Sequence, residues 1–335
     1  MTQAARPTVA VSSQIHASVS ARLNAVAHVI QNASEKPWSY EEAVRHVRHS
    51  DAFLAFMSDL IDERFLSCCP RLKIISGALK GYDNVDVEAC TRHGIWFCTV
   101  DRTLGAPTAE LAIALALVLG RRVLQGDACV RSGKFIGWQP RLYGSSLIGA
   151  TAGIVGLGEV GLELACRLNA MGTRVVYFDR EKKNQAAEKR LGIEFKSLDE
   201  LLRISDYVFP LLPLTKETVD FLDARAIAIM KRGSFLVNVG RGSIVDEHAV
   251  SRYLTSGHLG GYAADVLRME DRRHTRRGTD WPNGLLSNPH TVFTPHLGTA
   301  IAKVREAIEL QAAQSIIDIF RGKRPRGAIN RISRK

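Results

Sequence analysis

Residues 151–180 read TAGIVGLGEVGLELACRLNAMGTRVVYFDR, and this stretch decides the fold. An apolar run at 152–155 enters Gly156-Leu157-Gly158-Glu159-Val160-Gly161, a helix-like segment follows, and a second apolar run closes on Asp179. The spacing G-x-G-x-x-G between a strand and a helix has a physical cause. One glycine permits the tight turn, one lets the backbone approach a diphosphate, and one lets helix and strand pack closely. The helix N-terminus then offers free N–H groups to the phosphates. Asp179 lies 18 residues past Gly161, where a carboxylate that binds ribose hydroxyls belongs. A carboxylate there selects NAD, whereas Arg180 beside it is suited to a ribose 2′-phosphate. The expectation is NAD as cofactor with NADP tolerated.

Working outward, short apolar runs alternate with helical ones on both sides. Before this stretch, strands are expected near 9–13, 53–57, 72–77 and 95–99, with a helix over 39–49 whose first turn carries Glu41 and Glu42. After it, strands are expected near 207–211, 235–239, 261–265 and 291–294, followed by a last helix at Ala302–Phe320. Two β/α series of this kind imply parallel sheets with helices on their faces. Between them, Pro107-Thr108-Ala109-Glu110 opens a helix that is apolar nearly all round. Residues 131–144 (RSGKFIGWQPRLYG) then read as an extended arm.

The 335 residues suffice for two domains, and 46% apolar with 24% charged residues is the profile of a soluble globular protein. No run of 18 apolar residues occurs, so no membrane span is expected, and the first residues lack the pattern of a signal peptide. The six cysteines show neither a C-x-x-C pair nor zinc spacing, which suits reduced thiols in the cytoplasm. The net charge of +11 is scattered, except at residues 272–277 (RRHTRR), read either as a solvated loop or as a device that steers an anionic substrate. No stretch interleaves basic and aromatic residues, so no nucleic-acid partner is expected.

Three segments fall at the carboxyl ends of expected strands, where open α/β sheets place ligands. They are Asn238–Ser243 (NVGRGS), Asp265–Glu270 (DVLRME) and Thr294–Gly298 (TPHLG). Together they offer an arginine, a carboxylate and an imidazole. Singly, each has an ordinary structural explanation. Jointly, they suit hydride transfer involving an anionic substrate: a guanidinium grips the anion, an imidazole exchanges a proton near neutral pH, and a carboxylate fixes the imidazole's tautomer.

With GLGEVG, NVGRGSIVDE, AADV-x-x-x-E and TPHLG in hand, the chain resembles the D-isomer-specific 2-hydroxyacid dehydrogenase superfamily along nearly its whole length. Within it, Gly77–Asn84 (GALKGYDN), the 131–144 arm, Met269-Glu270-Asp271 and Val304-Arg305 are most similar to the phosphonate (phosphite) dehydrogenases. The resemblance implies a Rossmann-type doubly wound parallel sheet plus a flavodoxin-like α/β substrate domain. The domains would be 1–103, 104–300 with a dimerisation helix and arm, and 301–335 returning to the first, with the site in the cleft and a homodimer as the assembly.

The same resemblance places the catalytic set at Arg241, Glu270 and His296. It assigns substrate contacts to Lys80, Met57, Gly81, Arg305, Trp138 and Tyr143. For the cofactor it implies Lys80, Thr108, Gly156, Gly158, Glu159, Val160, Gly161, Asp179, Arg180, Leu211, Leu212, Pro213, Val239, Gly240, Arg241, Asp265, His296 and Gly298. Oxidation of phosphite to phosphate with NAD(P) as hydride acceptor is the reaction it implies, with Lys80, Arg241 and Arg305 supplying positive charge and His296 acting as base. The alternatives are a glyoxylate or hydroxypyruvate reductase with the same catalytic set, and a non-catalytic NAD-sensing scaffold.

Overall fold

The computed structural model describes residues 6–271 and 281–332. The basic run at 272–277 lies outside the described residues. In chain order the elements are β1 (Thr8–Val11), α1 (Ala17–Asn24), β2 (His28–Gln31), α2 (Tyr40–Val47), β3 (Ala52–Ala55), α3 (Glu63–Ser67), β4 (Ile74–Gly77), α4 (Val87–Arg92) and β5 (Trp96–Cys98). Then come α5 (Gly105–Gly120), α6 (Val123–Arg131), β6 (Thr151–Val155), α7 (Glu159–Ala170), β7 (Arg174–Phe178), α8 (Gln185–Leu191), β8 (Ile193–Phe195), α9 (Leu198–Ile204) and β9 (Tyr207–Pro210). Last are α10 (Ala224–Ile229), β10 (Phe235–Asn238), α11 (Glu247–Thr255), β11 (Gly261–Ala264), β12 (Thr291–Phe293) and α12 (Ala302–Phe320). The chain divides into two units, Leu104–Thr299 and the residues on either side of it.

The flanking unit holds a parallel sheet in the order β2-β1-β3-β4-β5. This is the flavodoxin-like order. A parallel sheet covered on both faces needs continuous apolar strands, and β3 (AFLA) and β4 (IISG) are buried at every residue. Phe53, Phe65 and Phe97 fill the core. The helix α12 comes back from the chain's end to this unit, and Ser76 Oγ donates to the Ala312 carbonyl at 2.9 Å.

The middle unit is a single seven-stranded sheet, β12-β11-β10-β9-β6-β7-β8, parallel throughout. The strand order reverses between β6 and β9, and Rossmann-type sheets bind ligands at such a switch point. One face of the sheet packs on α5 and α7, with Ala109, Ala112, Leu115, Ala116 and Leu119 of α5 all buried. This explains why α5 is apolar on nearly every side. The other face packs on α9, α10 and α11 through Leu201, Ile227 and Val250.

The α/β class and the two sheets stand as the sequence implied. Several elements were not read from it, among them two strands and one helix. The strand β2 is short and not fully buried, β8 is three residues long, and α6 buries no side chain. None of the three shows the apolar periodicity on which a sequence reading depends. The arm expected at 131–144 does carry no regular element beyond the last residue of α6.

Candidate active site

Because all seven strands of the middle unit run the same way, their carboxyl ends share one edge. The segments after β6, β7, β9, β10, β11 and β12 supply Gly156, Asp179, Leu211, Val239, Asp265 and His296 to it.

The turn after β6 fits a dinucleotide. Gly156 has φ +100°, a conformation that disfavours any side chain. Gly161 lets α7 cross the Gly156 carbonyl, and on Gly158 a Cβ would point into open space. No side chain caps α7, so its first N–H groups remain for an anion. Glu159 in that first turn would repel phosphate, but its Oε1 is turned to the Gly105 N–H at 3.2 Å. Glu159 and Val160 are therefore fitted to contribute through their backbone. Asp179 Oδ2 accepts the Leu157 N–H at 2.7 Å, which pins the carboxylate against the glycine turn. Among the described residues its Oδ1 takes one long bond, from Glu181 N at 3.4 Å, and so keeps acceptor capacity for ribose hydroxyls. Arg180 is exposed beside it.

Across the switch point, Leu211 N–H donates to the Val155 carbonyl at 2.7 Å, and the Pro213 carbonyl accepts from Thr218 Oγ1 at 2.7 Å. Leu212 packs against the core under β9. Val239 is buried, and Gly240 N–H bonds Asn238 Oδ1 at 3.1 Å. The Asn238 amide in turn holds the Arg241 carbonyl at 2.9 Å, while Arg241 Nη1 reaches the Gly240 carbonyl at 2.9 Å.

Asp265 organises the segment that carries the histidine. Its Oδ1 accepts from Thr294 Oγ1 and the Leu297 N–H, both at 2.6 Å, and its Oδ2 accepts from the Gly298 N–H at 2.9 Å. Its carbonyl takes the His296 N–H at 2.9 Å. Thr108 Oγ1 lies beside Gly298 and this carboxylate. Oδ2 therefore has capacity for one further donor such as a carboxamide. Held in this way, His296 adopts a left-handed backbone with φ +58°.

His296 Nδ1 stands 2.7 Å from Glu270 Oε2, and Glu270 Oε1 accepts the Leu267 N–H at 2.7 Å. This fixes the tautomer. Nδ1 carries the proton toward Glu270, and Nε2 is the nitrogen available to a substrate. Both side chains are about one-third exposed, so the pair is open to a ligand.

Two further contacts clamp the loops after β10 and β11 together. Ser243 N–H donates to Asp271 Oδ2 at 2.7 Å, and Arg268 N–H donates to Glu247 Oε1 at 3.1 Å. Gly242 sits so close to Leu267 that a Cβ would collide with its carbonyl group. Gly242, Glu247 and Asp271 were missed as functional candidates in the sequence. The paired acids Asp246-Glu247 at the end of NVGRGSIVDE were the available signal.

In the flanking unit, Met57, Lys80 and Gly81 follow β3 and β4 at their carboxyl ends. Arg305 on α12 joins them. Its guanidinium lies 5.7 Å from the Phe56 ring centroid, donates to the Ala78 carbonyl at 3.4 Å, and has its pKa lowered by burial. Trp138 and Tyr143 stand on the arm, 83% and 72% exposed, and are not gathered into either cluster within this chain.

Residues 113–298 match the model of the D-isomer specific 2-hydroxyacid dehydrogenase NAD-binding domain. The chain belongs to the D-isomer specific 2-hydroxyacid dehydrogenase family. A glyoxylate reductase of Pyrococcus furiosus is 36% identical over 296 residues, which cover 87% of this chain and 85% of that protein. A crystal structure of a Thermus thermophilus protein superposes with a TM-score of 0.86 at 32% identity, covering 96% of this chain and 100% of the other. An NADPH-dependent glyoxylate/hydroxypyruvate reductase of Sinorhizobium meliloti, solved with NADP and malonate, gives 0.83 at 25% identity, covering 99% of both. This family member is therefore an oxidoreductase with an NAD(P)-binding domain. Among the described residues no helix is long and apolar enough to cross a membrane.

These relatives overturn the expectation of phosphite oxidation, since they bear the names of glyoxylate and hydroxypyruvate reductases. The structure supplies a physical reason. That expectation rested on the resemblance of residues 77–84, the 131–144 arm and neighbouring segments to the phosphonate dehydrogenases, which implied positive charge from Lys80, Arg241 and Arg305. Lys80 Nζ lies 3.3 Å from Asp101 Oδ1, and Arg305 Nη2 lies 3.9 Å from Glu309 Oε1. Each cation thus has a carboxylate neighbour in this chain, which lowers the net positive charge around the two.

Proposed function

We propose that this chain reduces a small 2-oxo acid of the glyoxylate or hydroxypyruvate type to the corresponding 2-hydroxy acid with NAD(P)H. The observation that carries the reading is the His296–Glu270 pair at 2.7 Å on a dinucleotide-binding sheet. Reduction of a carbonyl needs a hydride on carbon and a proton on oxygen. The bound nicotinamide supplies the hydride.

The chain's own residues do the rest. Protonated His296 presents Nε2–H to the carbonyl oxygen and transfers the proton as the alcohol forms, while Glu270 keeps Nδ1–H in place and stabilises the imidazolium. Arg241 grips the carboxylate, for which a planar fork of donors is suited. Lys80, the Gly81 amide, Met57 and Arg305 shape the substrate side, whereas Trp138 and Tyr143, exposed on the arm, are not assigned to it. A single carboxylate on the substrate needs one committed arginine, which agrees with the partnered state of Lys80 and Arg305.

For the cofactor, the glycine turn and the start of α7 take the diphosphate, Asp179 and Arg180 the adenosine ribose, and Thr108, Asp265 and Gly298 the carboxamide end. Leu211, Leu212, Pro213, Val239 and Gly240 line the crossing between β9 and β10. We assign NAD as the main cofactor with NADP tolerated. The assembly we assign is a homodimer in the cytoplasm, built on the apolar side chains that α6 and the arm leave exposed, among them Val130, Phe135, Ile136 and Trp138.

The test is oxidation of NADH and NADPH, followed by absorbance, with glyoxylate, hydroxypyruvate and pyruvate. Turnover with glyoxylate or hydroxypyruvate is expected. Tight NADH binding without turnover on any 2-oxo acid would overturn the reading in favour of a scaffold.

A further inference from the structure

Two neighbouring amides of one short turn are held by two different carboxyl groups. The Leu267 N–H goes to Glu270 Oε1 at 2.7 Å, and the Arg268 N–H goes to Glu247 Oε1 at 3.1 Å. Glu270 passes its other oxygen to His296 Nδ1. Glu247 thus holds the same turn as the histidine's partner, is buried, and lies near enough to feel the charge of Glu270.

We propose that Glu247 is a positioning residue for the reaction centre, setting the geometry and charge around the Glu270–His296 pair through the Arg268 amide. It rests on the reductase reading only for the role of His296. The groups that face Glu247 are Asp246 at the cap of its own helix, Arg268, Glu270 and Asp271 from the turn, and Tyr262 from β11. The Arg268 guanidinium is committed to Asp220. Burial pushes the Glu247 carboxyl up to about 7; the Arg268 N–H opposes this, and the charges of Asp271, Glu270 and Asp246 add to it. The amino end of α11 favours the anion, but burial among three acids outweighs it.

Two states follow. With Glu247 protonated, the turn keeps its shape and Glu270 alone faces the imidazole from this side. With Glu247 ionised, a second negative charge lies near Glu270 and draws the turn more tightly through the Arg268 N–H.

The experiment labels histidine at Cε1 and follows the His296 resonance in the whole chain without ligand, over about pH 5 to 8. Loss of the signal in His296→Asn assigns it. The wild-type curve is expected to bend twice, and the curve of Glu247→Gln to bend once. Superimposable curves would overturn the proposal. As a second readout, Glu247→Ala should lower kcat for glyoxylate roughly tenfold with KM little changed, and Glu247→Gln should recover most of that loss. A Glu247→Gln variant no better than the alanine variant would count against positioning by hydrogen bond. The titration needs no substrate, so absent glyoxylate turnover would defeat the reductase reading while leaving this one to stand or fall on the curves.

Discussion

Gly242 and Leu267 meet backbone to backbone, with no space for a side chain between them. This contact sets how near the arginine loop after β10 comes to the turn that carries Glu270. Gly242→Ala should push the two apart and loosen the Ser243–Asp271 and Arg268–Glu247 bonds. The expected cost is about 1–3 kcal/mol in denaturant unfolding, with kcat/KM for glyoxylate reduced roughly a hundredfold, or about 3 kcal/mol in the barrier. Wild-type kcat/KM in the alanine variant would show that the spacing is unimportant.

The imidazole and its partner should separate in steady-state kinetics. His296→Asn removes the proton donor and should lower kcat by about 10²–10⁴-fold. Glu270→Gln keeps the shape but loses the anion that fixes Nδ1–H, and should cost a smaller factor while shifting the pH profile. Arg241→Lys replaces a fork by a point charge and should act mainly on KM. Equal losses in kcat for all three would contradict these roles.

Asp179 is tied to the glycine turn through the Leu157 N–H. Asp179→Asn should weaken NAD and remove the repulsion of a 2′-phosphate. The ratio of kcat/KM for NADPH over NADH should rise about 10–100-fold, since a hydrogen bond to a charged group contributes about 1.5–3 kcal/mol. A wild-type preference for NADH above roughly a thousandfold, about 4 kcal/mol, would defeat the claim that NADP is tolerated.

Glu247 makes folding stability depend on pH. Its carboxyl is raised from 4.5 to about 7, so the folded state holds the proton more tightly than the unfolded one. The stabilising effect of that proton is complete below the unfolded value, and it is lost as pH rises toward the folded one. Relative to Glu247→Gln, the wild type should therefore lose about 3 kcal/mol between pH 4.5 and pH 7 and little beyond. Urea melts at intervals across that window measure it, and a constant difference between the two proteins would be inconsistent with the burial argument.

The exposed arm should report the assembly. In sedimentation velocity the wild type is expected as a dimer, and Trp138→Glu with Ile136→Glu as a monomer or a weakened dimer. These side chains are 83% and 81% exposed in the single chain, and a charge in an apolar contact is costly. An unchanged dimer would move the interface elsewhere.

The glycine turn, the strands that flank it and Asp179 were legible because their pattern is local: each residue acts on neighbours within one β/α/β unit. Arg241, Glu270 and His296 were legible as candidates because parallel strands deliver their carboxyl ends to one edge. Glu247 and Asp271 were not, since their meaning arises from a contact between two loops 21 to 28 residues apart in sequence. The strands β2 and β8 were missed for a different reason: each is an edge strand with at most one buried residue, so neither carries the continuous apolar run that marked the other strands. Substrate choice misled because a resemblance in short segments around Lys80 was weighed above a catalytic set common to the 2-hydroxyacid dehydrogenases, and Asp101 beside Lys80 shows only in the folded chain.

The left-handed backbone at His296 has an implication for how this chain came to be what it is. A residue with a β-carbon costs about 1–2 kcal/mol there relative to glycine, and the segment is held in that shape by its hydrogen bonds to Asp265. Selection for robustness alone would have put glycine or asparagine at this position. The imidazole is kept against the backbone's preference, so here durability and activity pull the sequence in opposite directions.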